Sequence, residues 1–186
     1  MKKLMVMLAT VAVGVAANAA SVWWTCAGVV DSSGSSSSGL AYFVNAATLS
    51  HDDALALKGT GADAITAALA SSYSFSGTSG NYGVTKANAV ANTGLKLSAD
   101  GGEYEVYLVL FDTATITDSS NFYVTDVKSL TALAGADDVS SVKWGNLASA
   151  TGAAGAWSSA ASVPEPTSGL LMLVGLAGLA LRRRRA

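Results

Sequence analysis

The eleven residues Gly102–Asp112, GEYEVYLVLFD, constrain the fold more than any other stretch of the chain. In an extended conformation Tyr104, Val106, Leu108 and Leu110 share one face. The other face runs Glu103, Glu105, Tyr107, Val109, Phe111 and changes from wet to buried along its length. Such a segment is expected at the centre of a sheet. NFYVTDVKSL, residues 121–130, follows a polar connection and suits the antiparallel partner. Shorter strand candidates are SVWWTCAGVV, GLAYFVN, NYGVTKANAV, GLKLSAD and VSSVKW, separated by Gly, Ser, Asn and Asp. The spacing predicts a mainly β domain: an antiparallel β-sandwich of about seven or eight strands.

One region departs from this pattern. LSHDDALALKGTGADAITAALASSY holds two capping boxes, Ser50 with Asp53 and Thr60 with Asp63, each opening an alanine- and leucine-rich run. Two short helices are expected, near 51–58 and 61–71. Gly59 closes the first, and Ile65, Ala68 and Leu69 form the apolar stripe of the second.

Both termini lie outside this domain. Lys2 and Lys3 precede an apolar run from Leu4 to Ala16, and Ala17-Asn18-Ala19 supplies the small-x-small pattern cut by signal peptidase. Residues 1–19 therefore read as a secretory signal peptide. Trp23, Trp24 and Thr25 ahead of Cys26 do not fit lipoprotein processing. Residues 20–150 are expected to form the β-rich extracellular domain, and 151–162 a small-residue tether with a last strand around Trp157.

The remaining segment, 163–186, is VPEPTSGLLMLVGLAGLALRRRRA. Its apolar run from Gly169 to Leu181 spans about 20 Å as a helix, short of a hydrocarbon layer of about 30 Å. Arg182, Arg183, Arg184 and Arg185 would stay cytoplasmic by the positive-inside rule. Pro164 and Pro166 keep 163–166 extended outside the bilayer, where an enzyme can bind it. A transient transmembrane hold is expected rather than a permanent anchor.

Pro164-Glu165-Pro166, the apolar helix and the arginine cluster, in that order at the C-terminus, resemble the PEP-CTERM sorting signal. The resemblance implies export and processing by exosortase, a membrane-embedded, cysteine transpeptidase-like enzyme of Gram-negative bacteria. It also implies an association with exopolysaccharide or biofilm. It covers only the tail and leaves the central domain unassigned. Implied partners are signal peptidase, an exosortase-like enzyme, the membrane before processing, and exopolysaccharide as a candidate. The implied location is the inner membrane in passing, then the cell surface, outer envelope or medium.

Charge and residue inventory narrow the function of the domain. Between Ala20 and Ser162 five lysines stand against twelve carboxylates, a net charge of about −7. Such a surface excludes a nucleic-acid partner, which needs a basic patch. Cys26 is the single cysteine, so no internal disulfide forms, and a buried thiol in an early strand is expected. His51 is the single histidine, and HDD at 51–53 reads as first-turn dipole chemistry rather than an acid–base or metal site. Asp100 with Glu103, Asp118 with Asn121, and Asp137 with Asp138 read as turn acids without the spacing of a calcium loop. DSSGSSSSG, 31–39, reads as a flexible hydroxyl-rich loop without the lysine of a phosphate cradle. No catalytic set, metal site or cofactor is expected.

Four tryptophans remain. Adjacent Trp23 and Trp24 point to opposite faces of a strand, so at most one enters the core of a one-sided sheet. They are the candidate glycan contacts, since an exposed indole stacks on a sugar face. Three functions follow in order: a non-catalytic surface or matrix protein, a carbohydrate-binding or adhesive module, and, last, a secreted hydrolase.

Overall fold

The computed structural model describes residues 21–84, 90–91, 95–97, 101–133 and 139–163. The signal residues Ala17 and Ala19, the motif Pro164, Glu165 and Pro166, and Arg182–Arg185 lie outside them, as do Asp100, Asp137 and Asp138. The elements, in chain order, are β1 (Ser21–Ala27), β2 (Leu40–Asn45), α1 (His51–Ala56), α2 (Ala62–Ala68), β3 (Tyr73–Ser76), β4 (Tyr82–Val84) and β5 (Val90–Ala91). They continue with β6 (Glu103–Phe111), β7 (Asn121–Val124), β8 (Lys128–Thr131), β9 (Val139–Asn146), α3 (Ala148–Thr151) and β10 (Ser158–Ser159). The chain is mainly β, as expected.

The strand that dominates the sequence also organises the structure. β6 pairs antiparallel with β2, from Ala41↔Leu110 to Asn45↔Val106, and on its other edge with β7 and then β8. With β3 beside β2 and β10 beside β7, six strands form one open sheet. The single partner strand expected over 121–130 is thus two. At the break the Thr125 hydroxyl accepts from the Leu108 N–H at 2.9 Å, while the Thr125 N–H donates to the Leu108 carbonyl. A side chain there takes the place of a backbone acceptor, and the chain turns through Asp126 before pairing resumes.

The second sheet is built on β1. β4 and β5 pair antiparallel along one edge, and β9 pairs along the other edge in parallel, from Ser21↔Val139 to Ala27↔Asn146 with a bulge after Thr25. This corrects the expectation of purely antiparallel sheets. A parallel pair requires a long crossover, and here five of the six strands of the larger sheet lie between β1 and β9 in the chain.

Residues of both sheets share one core. Val22, Trp24 and Cys26 from β1 and Val142 and Trp144 from β9 meet Phe43 from β2 and Val106, Leu108 and Leu110 from β6. Tyr104 is partly buried against this cluster. On the far face of the larger sheet Val44, Tyr107, Val109, Phe111 and Phe122 form a second core with Ala54 of α1, Ile65 of α2, Leu69 and Ala160. Residues 106–111 of β6 are buried on both faces, which is why the hydrophobic alternation is lost there.

The helices are shorter than expected. Ser50 caps α1, accepting from the Asp53 N–H at 3.1 Å. The second capping box does not form. Gly61, at φ +96°, occupies the N-cap position, and the Thr60 hydroxyl donates back to the Leu57 carbonyl instead. Asp118, from the β6–β7 connection, accepts from the Ala62 N–H at 2.9 Å. A cap contributed across 56 residues has no local sequence signature.

Ten strands and three helices occur among the described residues, more than the seven or eight and two expected. β10 is the last strand expected around Trp157, NYGVTKANAV carries β4 and the start of β5 rather than one strand, and β3, which was not expected, follows the helical run with no break in composition. GLKLSAD was expected as a strand. Residues 95–97 of it form a turn instead, with Leu95 and Leu97 buried in the core.

Candidate functional site

The two adjacent tryptophans separate as strand geometry requires. Trp24 is 1% exposed, stacked on Phe43 at 5.9 Å between ring centroids and edge-on to Phe75 at 6.0 Å. It belongs to the core and cannot reach a ligand, so the pair of candidate glycan contacts is reduced to one. Trp23 is half-buried, and Lys143 of β9 places Nζ 4.8 Å from its ring centroid. This cation–π contact stabilises the pair and holds one face of the indole. The other tryptophans are structural. Trp144 donates from Nε1 to the Asp126 carbonyl, and Trp157 donates to the Thr151 carbonyl and packs against Tyr123.

At the end of β1 is a cleft of about 400 Å³ whose lining includes Thr25, Phe75, Asn81, Tyr82 and Lys143, the residue that also contacts the Trp23 ring. No carboxylate among the described residues lines it, although the domain is acidic. Gly83 in its wall has φ +127°, and a side chain there would collide with the Trp24 carbonyl across the β1–β4 ladder. Close approach of two backbones therefore sets the shape of this edge. Lys143 was not singled out from the sequence. Its signal was present in VSSVKW, where alternation with Val142 and Trp144 turns it outward.

The remaining candidate groups serve the fold. Burial raises the Cys26 thiol from 9.0 to about 12, opposed by a backbone hydrogen bond at Tyr82. At neutral pH it is a protonated apolar group, as its place in an early strand suggested. The His51 ring lies edge-on to Tyr107 at 5.3 Å, and its Nε2 is 3.1 Å from the Thr125 carbonyl. Asp52 and Asp53 are exposed on the first turn of α1. Asp118 caps α2, whereas Asn121 bonds to the Asp112 carboxylate through both its N–H and its amide, each at 2.8 Å. Among the described residues no three His, Cys, Asp or Glu side chains converge as a metal site.

The serine-rich segment 31–39 is ordered rather than loose. The Asp31 carboxylate accepts from the Ser33 hydroxyl and from the N–H groups of Ser33 and Ser35. The Ser33 hydroxyl is the main reason its carboxyl lies below the ordinary value. Ser37 is buried against the Tyr82 hydroxyl at 2.7 Å.

The segment expected to be a tether is likewise part of the domain. Ser158 and Ser159 pair with Phe122 and Asn121, Ala160 is 0% exposed, and its N–H donates to the Ser120 carbonyl at 2.9 Å. The Gly59 N–H donates to the Ser159 carbonyl, and the Val163 N–H donates to the Gly59 carbonyl at 2.9 Å. The chain is therefore held in place up to the residue before Pro164. Small residues here signal close packing, which composition alone does not distinguish from flexibility. A cleft of about 450 Å³ lined by Thr60, Asp63, Thr117, Asp118 and Ser162 lies at the same corner.

No helix among the described residues is long and apolar enough to cross a membrane, and the apolar run 169–181 lies outside them. The family model of the PEP-CTERM protein-sorting motif matches residues 162–185. Comparison with curated proteins and with solved structures finds no match. The chain thus carries a PEP-CTERM sorting motif immediately behind its folded domain. The motif implies export, a membrane-held stage and processing by an exosortase-type enzyme.

Proposed function

We propose that this protein is a non-catalytic component of the cell surface or extracellular matrix of a Gram-negative bacterium, delivered through its tail and associated with exopolysaccharide or biofilm. The observation that carries the reading is the sorting motif at 162–185, joined to a mainly β, acidic domain. Two sheets packed as a sandwich with helices on one face suit a durable exported module, and the negative surface favours solubility outside the cell. The intact mass of the chain recovered from producing cells tests this. The expected product begins near Ala20 and ends before Arg182. A chain retaining both termini would contradict delivery by this route.

A second reading, a carbohydrate-binding or adhesive module, is favoured by the half-buried Trp23 ring and by Lys143, which contacts that ring and lines the cleft at the end of β1. An aromatic face and hydrogen-bonding groups suit a sugar ring, and many copies on one surface raise weak contacts to useful avidity. Trp23→Ala is expected to reduce retention on an immobilised polysaccharide panel severalfold, with thermal unfolding little changed. Equal retention of both chains on every glycan leaves the structural role alone. A hydrolase ranks last, since His51 and Cys26 are both engaged in packing.

A further inference from the structure

We infer that the folded domain masks the upstream side of its own processing site, so that residues 158–163 must undock before the sorting enzyme takes the tail. The inference rests on the sorting reading and adds a control step to it.

An enzyme that acts on an extended segment needs free main-chain groups on both sides of the bond it cuts, because those groups supply much of the binding. Upstream of Pro164 several of them are already engaged. The Val163 N–H donates to the Gly59 carbonyl, the Ser159 carbonyl accepts from the Gly59 N–H, and the Ala160 N–H donates to the Ser120 carbonyl. β10 is paired with β7, and the methyl group of Ala160 is buried among residues of the second core. Downstream there is little slack. Five residues, 164–168, separate Val163 from the apolar run, and fully extended they reach roughly 17 Å. A membrane-embedded enzyme would therefore meet the α1–α2 corner of the domain, not a free tether.

The contacts that hold this end are few: a two-residue strand, three hydrogen bonds and one buried methyl group. Short terminal elements of this kind open locally at a small fraction of the global unfolding free energy. Undocking frees residues 158–163 and takes the Ala160 methyl group out of the second core, while β6 and the first core stay intact.

The register supplies the test. Ser159 and Asn121 are directly opposed, and the hydrogen bond at the neighbouring Ala160–Ser120 pair marks theirs as the close, non-bonded position where a disulfide fits. The full chain carrying Asn121→Cys and Ser159→Cys is exported in cells that process the parent, and tail removal is followed in membranes with and without dithiothreitol. Processing of the oxidised chain is expected to fall about tenfold or more and to recover on reduction. Inserting Gly-Ser-Gly-Ser after Val163 is expected to restore processing of the oxidised chain without reductant. The two single-cysteine chains, processed at the parent rate, show that the substitutions themselves are harmless. An oxidised chain processed as fast as the parent overturns the inference. Glu165→Ala in the same assay separates the premises: if it too is processed normally, the sorting reading fails along with this step.

Discussion

Leu108→Ala is expected to destabilise the domain by about 2–5 kcal/mol, toward the upper part of that range. Leu108 is 0% exposed at the middle of β6, directly opposite Phe43 of β2, and its N–H is bonded to the Thr125 hydroxyl. The loss has two parts: the transfer energy of the removed atoms and the cavity left where neighbours cannot close in. Here they are held on every side. β6 is paired along both edges, the smaller sheet covers the Leu108 face, and Tyr107 and Val109 are anchored in the second core. Leu55, 50% exposed on α1, is the internal control, and its truncation should change stability by no more than about 0.5 kcal/mol. Urea unfolding of the exported chain measures both. Equal midpoints for the two variants would place Leu108 outside the core and undo the two-face reading of β6.

The sequence was most legible where periodicity and length agree. The two faces of β6, the outward and inward tryptophans of β1, the Ser50 cap and the Ile65–Leu69 stripe all depend on neighbours a few residues apart, so composition exposes them. What stayed hidden depends on distant partners. Thr125 replaces a backbone acceptor for Leu108, Asp118 caps α2, and β9 returns to lie parallel to β1; none leaves a local mark. Within 151–162 the strand expected around Trp157 is present as β10, and the packing of the residues around it stayed hidden for a different reason. Gly, Ala and Ser serve a flexible linker and a close-packed edge equally well, and only the fit of Ala160 against the larger sheet distinguishes them. For the candidate sites, the tail was legible because its elements are read in chain order by a membrane and an enzyme. The Trp23–Lys143 pair was half legible, since strand alternation gives a direction but not a neighbour.

Replacing Glu165 by Ala, or deleting Arg182–Arg185, is expected to leave export and signal removal intact while abolishing normal tail processing. The two changes act on different steps. Glu165 lies between prolines that disfavour helix, in the segment an exosortase-type enzyme would recognise, so Glu165→Ala should give a chain that reaches the membrane and stays there uncut. By the positive-inside rule the arginines would act as the cytoplasmic stop. Without them an apolar run of 13 residues, already short for the bilayer, has no charged end to hold its position. That chain should slip through and leave the membrane with its tail still attached. Fractionation with intact-mass measurement distinguishes the outcomes: full-length tail in the membrane for Glu165→Ala, full-length apolar run outside it for the arginine deletion, and a trimmed product at the surface for the parent. If both variants are trimmed and located like the parent, the tail is not read as a sorting signal. A domain held up to Val163 would then have to owe its final position to its own surface, with the outward face of β1 and β9 the first place to look.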